Sequence, residues 1–442
     1  LLYYSMSSHC TSCADTENNM NNTEIVKAGL QKRYAREKRF QLYGKAAVMS
    51  GFVFLIFLLF DIITKAIPAF NITEILLDIP MDRGALELSL DKNVNIDEAA
   101  LASIDYAGLV KKALRTQFPE ATKRKDKKQL YRLMSGSAEY ELRQLIIDDP
   151  GLIDGEPLSI WFKADDDVDT FYKLKRNTSR IKAQQVEFIA SLKTESRIRT
   201  ALNWDFFTNG DSREPEQAGI KGALLGSFWT LLVTLMVSLP VGIAAAIYLE
   251  EFAPQNRLTD FIEININNLA AVPSIVFGLL GLAVFINFFG MPRSVPLVGG
   301  LVLSLITLPT IIISSRAAIK SVPPSLREAA LGLGASHMQM VFHHVLPQAM
   351  PGVLTGAIIG MAQALGETAP LLMIGMVAFI VDVPDGVLDS ATVLPVQIFL
   401  WADSPESAFT ALTAATILVL LAFLTVMNAL AILLRNYFER QR

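Results

Sequence analysis

Residues 321–351 read Ser-Val-Pro-Pro-Ser-Leu-Arg-Glu-Ala-Ala-Leu-Gly-Leu-Gly-Ala-Ser-His-Met-Gln-Met-Val-Phe-His-His-Val-Leu-Pro-Gln-Ala-Met-Pro, a polar island between two long apolar runs. Ser325 followed by Glu328 has capping-box spacing just after Pro323-Pro324, and Ser336 followed by Gln339 repeats it. Gly332 and Gly334 lie between the two boxes, where a first helix ends and the chain turns. The spacing predicts two short helices joined by a turn, lying on a membrane surface.

Around this island the charge is unevenly spread. The chain has 442 residues, 52% of them hydrophobic, with positive mean hydropathy. Residues 69–217 hold 22 of the 39 Lys and Arg and 26 of the 43 Asp and Glu. What remains is apolar enough for lipid. The net charge of −4 says little about partners, and no nucleic acid is expected.

Residues 1–45 are expected to be a cytoplasmic tail. Cys10 and Cys13 sit there beside His9, but a second pair of metal ligands is missing, so the tail is expected to be disordered. It shows no apolar signal-peptide core. Its basic end, with Lys27, Lys32, Arg33, Arg36, Lys38, Arg39 and Lys45, runs into an apolar stretch at 46–67. At about 1.5 Å per residue that stretch crosses a bilayer core of about 30 Å. Asp61 and Lys65 near its far end stand four apart, spaced to pair and to snorkel.

Residues 68–217 then read as an inserted, soluble, mixed α/β extracytoplasmic domain, since long loops translocate largely regardless of charge. Alternation at 85–90 predicts a strand, and helical patches fall near 97–118, 128–147 and 184–202. The basic cluster at 123–128 reads as a solvated surface, with binding of anions or anionic lipid as the other reading.

From there on, uncharged runs predict five more helices, at about 222–249, 268–290, 296–315, 352–381 and 408–434. Six crossings put both termini in the cytoplasm. Inside loops then carry Arg257, Arg316, Lys320, Arg327, Arg435, Arg440 and Arg442. Outside loops carry Arg293 and the acidic residues Asp382, Asp385, Asp389, Asp403 and Glu406. This is the positive-inside pattern, and it places the loop at 316–351 in the cytoplasm. The expected fold is an all-α membrane protein of six transmembrane helices, with residues 218–442 as its main transmembrane domain.

The fifth span differs from the others. Gly352, Gly356 and Gly360 recur every four residues, giving a face on which another helix can approach closely, either within the chain or from a partner. Glu367 is the only formally charged residue between Glu328 and Asp382. An intramembrane carboxylate costs about 2.5–3.5 kcal/mol on insertion scales unless paired, protonated or hydrated. Gly366 and Pro370 on either side weaken the helix there, as in broken helices that line a cavity or lie buried in protein.

Glu328-Ala329-Ala330, Gly334 four residues later, and Leu346-Pro347 together resemble the EAA loop of ABC importer permeases, the cytoplasmic element that docks onto the ATPase. His344 departs from that pattern, which usually has an aliphatic residue there. Gly366-Glu367-Thr368-Ala369-Pro370-Leu371-Leu372 is similar to the fifth span of the PstA-type permeases of bacterial phosphate importers, and the similarity covers roughly residues 220–440. The resemblance implies a type I ABC importer permease core in the bacterial inner membrane, with 68–217 periplasmic. It implies a second, PstC-like permease, a cytoplasmic ABC ATPase dimer and a periplasmic phosphate-binding protein as partners, with phosphate as the substrate and lipid around the spans. Many relatives have Arg four residues before the Glu, where this chain has Gln363, so the carboxylate needs a counter-charge or a proton from elsewhere.

A carboxylate in a phosphate path repels the substrate. Glu367, with Gln363 and Thr368, is therefore expected to gate the path or hold a cation, and Arg316 either draws the anion inward or anchors the interface. No Walker A loop is present, so ATP is hydrolysed by another polypeptide and the chain is not an enzyme. Neither a Ser/His/Asp constellation nor a metal cluster stands out, and no cofactor is expected. His337, His343 and His344 lie in the docking loop. Two other readings stay open: a permease for another oxyanion such as molybdate, sulfate or phosphonate, and a membrane sensor with an extracytoplasmic ligand domain.

Overall fold

The computed structural model describes residues 22–81, 86, 101, 104–153, 157–174 and 180–440. The Cys10 and Cys13 tail, and all but Leu86 of the strand expected at 85–90, lie outside them. The chain divides into two compact units, residues 1–61 and 62–442, and the division falls inside the first helix. That helix, α1, runs Asn22–Ala66 and so begins well before the expected 46–67. Lys, Arg and Glu are good helix formers, so the change from basic to apolar sequence alters the surroundings and not the conformation. Its side chains from Val48 to Phe60 are exposed apolar surface.

In the second unit, a 3-10 turn at Ile67–Phe70 leads into β1, Asn71–Ile79, which the sequence pattern did not reveal. It is the central strand of an antiparallel sheet, pairing on one side with β2, Leu158–Lys163, and on the other with β3, Ile198–Leu202. The region 198–202 was expected to be helical. Its β-branched Ile198 and Thr200 suit a pleated strand, and pairing with β1 decides the matter. Helices α2 (Tyr106–Gln117), α3 (Arg124–Tyr131), α4 (Ala138–Asp148), α5 (Asp166–Leu174) and α6 (Ala183–Thr194) complete this part. Ile75, Leu77 and Ile79 of the sheet share one core with Leu114, Leu130, Leu142 and Leu192 of the helices. Around the start of α5, burial pushes the Asp165 carboxyl up to about 8, with the charge of Asp166 acting the same way. Burial also pushes Glu216 up to about 7.

A short helix, α7 (Asp205–Thr208), precedes the apolar part. There α8, Lys221–Ile247, ends in a π turn at Tyr248–Phe252. Next come α9 (Arg257–Leu269) and α10 (Ser274–Gly281), the latter continued by a π turn to Phe288, and then α11 (Pro296–Lys320). Among the described residues, five helices are long and apolar enough to cross a membrane: Arg33–Phe70, Lys221–Phe252, Pro296–Lys320, His337–Gly366 and Ala408–Tyr437. A sixth is reached only if α9 and α10 count as one span, and they bend by 101°. The straight helix expected at 268–290 is therefore corrected to a bent pair. Pro273 is the N-cap of α10, and its ring cannot continue the helix of α9.

Candidate functional site

The 321–351 island folds as two short helices, α12 (Pro324–Gly332) and α13 (His337–Met340), followed by a π turn at Val341–Val345. Only the second expected capping box forms. Ser336 Oγ accepts from Gln339 N–H at 3.3 Å while the Gln339 side chain accepts from Ser336 N–H at 2.9 Å. The first helix has Pro323 as its N-cap and no side-chain cap, because the prolines preset the backbone and start the helix one residue ahead of Ser325. Gly334 turns the chain at φ +88°, a conformation that favours glycine.

Ala330, Met340, Val341 and Val345 bury the hairpin's inner face against Ala246, Ile319 and Val353. Glu328, Ala329, Gly334 and Pro347 are exposed and Leu346 is half-buried, while Leu333 at the turn is 90% exposed. One face is thus fixed to the helices and the other is open.

The hairpin is also clamped by charge. Arg327 donates to Glu251 Oε1 from Nη2 at 2.9 Å and Nε at 3.1 Å. It donates further to the carbonyls of Val322 at 2.6 Å and Ile319 at 2.9 Å. His337 Nε2 lies 3.1 Å from the Glu251 carbonyl, and its ring packs edge-on to Phe252. Next to this clamp Arg316 donates to Glu263 at 2.6 Å and to Glu250 at 3.4 Å, tying α11 to both α8's π turn and α9. Its guanidinium is held between two carboxylates. The three partners, Glu250, Glu251 and Glu263, were missed in the sequence, where the Glu-Glu pair closing the uncharged run at 222–249 was the available signal.

From the hairpin the chain continues as α14, Leu346–Gly366, so that one helical stretch, His337–Gly366, reaches from the clamp to Glu367. There the helix stops. Glu367 is extended at φ −81° and ψ 118°, and a separate short helix, α15 (Ala369–Met373), follows. The helix expected at 352–381 is therefore broken at Glu367 and does not extend beyond Met373. Another helix, α16 (Leu394–Ala402), lies in the region taken for an acidic outside loop, before the last span α17, Ala408–Arg440.

Glu367 is half-buried, and among the described residues its carboxylate has no ion pair or side-chain hydrogen bond. Gln363 does not reach it, and its Oε1 instead accepts from Thr310 of α11 at 3.3 Å. Thr368 is half-buried as the N-cap of α15. The break packs on α10: a Cβ on Gly278 would lie 2.7 Å from the Pro370 Cα and 2.9 Å from the Met373 Cβ. The glycine stripe is occupied within the chain. Gly352 faces Ala318, Gly356 faces Ser314 and Gly360 faces Ile311, all on α11. Of the two alternatives the spacing left open, packing within the chain, α14 on α11, is the one these glycines make.

Residues 238–441 match the model of the family described as binding-protein-dependent transport system inner membrane component, and residues 27–181 match a domain of unknown function, DUF3333. The chain is 37% identical to the probable ABC transporter permease protein YqgI of Bacillus subtilis over 39% of its own length and 58% of that protein's. It is 31% identical to the phosphate transport system permease protein PstA of Xylella fastidiosa over 53% of its length and 82% of that protein's. A solved structure of the MetNI methionine ABC transporter is 18% identical, with a TM-score of 0.40 over 50% of this chain and 94% of that one.

Proposed function

Because the chain belongs to the family of binding-protein-dependent transport inner-membrane components, the permeases of ABC importers, we propose that it is the permease subunit through which inorganic phosphate enters the cytoplasm. The fold is that of a type I importer permease, mostly helical, with a small sheet region. The observation that carries the reading is mechanical: the exposed hairpin is clamped through Arg327 and Glu251, and the helix leaving it ends at the break that bears Glu367. Force applied to the hairpin is delivered to that break along one continuous helical stretch, His337–Gly366.

In this reading an ABC ATPase dimer in the cytoplasm docks on the exposed residues of the expected set, Glu328, Ala329, Gly334 and Pro347, with Leu333 beside them. Ala330 is corrected from a docking residue to one that holds the hairpin on the helices from within. A periplasmic phosphate-binding protein delivers the anion, and a second, PstC-like permease completes the path. The chain sits in the bacterial inner membrane with both termini cytoplasmic and residues 68–217 periplasmic, and ATP is hydrolysed by the partner. Phosphate is favoured because the relatives include permeases named for phosphate transport. Glu367 gates the path or holds a cation there, since its charge opposes an anion. Arg316 holds the cytoplasmic ends of three helices together.

The test is uptake of radiolabelled phosphate by cells that carry the chain with its partners, with molybdate, sulfate and phosphonate as competitors. Glu367→Gln is expected to alter uptake strongly while leaving the protein in the membrane. Unchanged uptake removes Glu367 from the mechanism, and stronger competition by another oxyanion than by unlabelled phosphate replaces the substrate.

A further inference from the structure

The helix-and-sheet part holds charge that the transport reading does not use. Around the start of α5, Asp165, Asp166 and Asp167 each offer a carboxylate oxygen, all within 4.8 Å of one another. The positive end of a helix accounts for acidic residues in its first turn, but not for Glu216, which comes from the loop between α7 and α8. Glu216 is 7% exposed; its Oε1 accepts from Ser135, and its Oε2 is buried without a partner among the described residues. Glu216 and Asp166 line the same cavity, of about 60 Å³. Among the described residues, Asp166 Oδ2 and Asp167 Oδ1 are also buried with no hydrogen-bond partner.

Three buried carboxylate oxygens without donors are an unusual concentration, because buried polar atoms are nearly always satisfied. The neighbouring lysines already have carboxylate partners, Lys173 within the lining of the same cavity. Lys163 pairs with Glu141 and Asp205, and Lys173 with Asp169 and the carbonyls of Pro68 and Asn71. Arg180 acts on Asp166 and Asp167, and Arg132 on Asp167, but neither closes an ion pair with them among the described residues.

We propose that Asp165, Asp166 and Asp167 hold a divalent cation of the calcium class, with Glu216 completing the site from the cavity that it lines with Asp166. An all-oxygen, carboxylate-rich set is what a hard cation takes, and one ion satisfies several of the unpartnered oxygens together. The same cavity is lined by Pro68 and by Ala408, Ala411 and Leu412 of the last span. A bound ion therefore fixes the helix-and-sheet part to the segment that enters α8, beside the top of α17. Affinity of the order of 0.1–1 mM, as in extracellular calcium modules, suits such a site.

The test uses the full chain in detergent after treatment with a chelator, titrated with CaCl2 and separately with MgCl2, and read by calorimetry and by thermal unfolding. One saturable site per chain is expected, with the unfolding temperature rising as the cation binds. Glu216→Gln and Asp166→Asn are each expected to weaken binding at least tenfold, and Glu120→Gln, on the exposed surface, to leave it unchanged. Absence of saturable binding of either cation up to about 10 mM, above the range of the weakest such sites, overturns the proposal. So does binding that is unaltered in both variants. If both variants unfold at a higher temperature and the parent binds no cation, the carboxylates share protons instead. Binding to the parent chain is read directly, so a variant that fails to fold does not leave the question open.

Discussion

Removing the Arg327 guanidinium leaves the Glu251 carboxylate without its counter-charge, and the effect can be sized from the contacts. Four hydrogen bonds end on Arg327, two to Glu251 and two to backbone carbonyls. The Glu251 side chain is 6% exposed and that of Arg327 is 21% exposed. Breaking a fully buried pair costs about 3–5 kcal/mol, and an exposed pair contributes about 0–1 kcal/mol. Partial access of solvent to Arg327 puts Arg327→Ala at about 2–3 kcal/mol, between those limits but nearer the buried one. At about 1.4 kcal/mol per factor of ten, that is roughly a 30- to 140-fold loss in the population of the clamped hairpin. The assay is equilibrium unfolding in mixed detergent and SDS micelles, run as a double-mutant cycle with Glu251→Gln. The amide needs no counter-charge, so the double variant is expected to be more stable than the sum of the single losses predicts. Additivity within about 0.5 kcal/mol would refute the clamp.

Gly278→Ala is expected to cost about 1–3 kcal/mol and to reduce uptake, because the new methyl meets the Pro370 backbone; unfolding and transport measured on the same preparation check it. Gly356→Leu drives a side chain into Ser314 and is expected to separate α14 from α11, read as loss of folded protein in detergent. Asp211, which accepts from Trp401 Nε1–H at 2.9 Å, has its carboxyl pushed up by burial. Its folded state therefore keeps a proton that the unfolded state has released, and stability falls as pH rises from about 4 toward the raised value. Asp211→Asn keeps the acceptor and is expected to flatten that part of the pH profile of unfolding.

The hairpin was legible in the sequence because its determinants are local: Ser336 with Gln339, Gly334 at the turn, and prolines at the helix starts. The break at Glu367 was legible for the same reason, through Gly366 and Pro370. The bend of 101° was not, since residues 264–292 are uncharged throughout and only Pro273 marks it. Strand β1 was missed because its pairing residues lie far along the chain, at 158–163 and 198–202, so the sheet is a long-range decision. The pairing of Arg316 and Arg327 with Glu250, Glu251 and Glu263 was hidden likewise. Arg316 and Arg327 had a local reading as inside-loop charges and the three glutamates had none; only the packing of α8, α9 and α11 brings them together. The run of three aspartates at 165–167 drew no reading from the sequence, and Glu216 comes to share a cavity with Asp166 only in the folded chain.

The most direct test of the account is the side of the membrane on which the hairpin turn lies. Leu333→Cys, made with Cys10 and Cys13 replaced by Ser, places a thiol at a position that is 90% exposed. A membrane-impermeant maleimide is expected to label it in inside-out vesicles and not in intact cells, and bound ATPase is expected to protect it. Labelling from the outside of intact cells would contradict the account, because no cytoplasmic motor could then reach the hairpin.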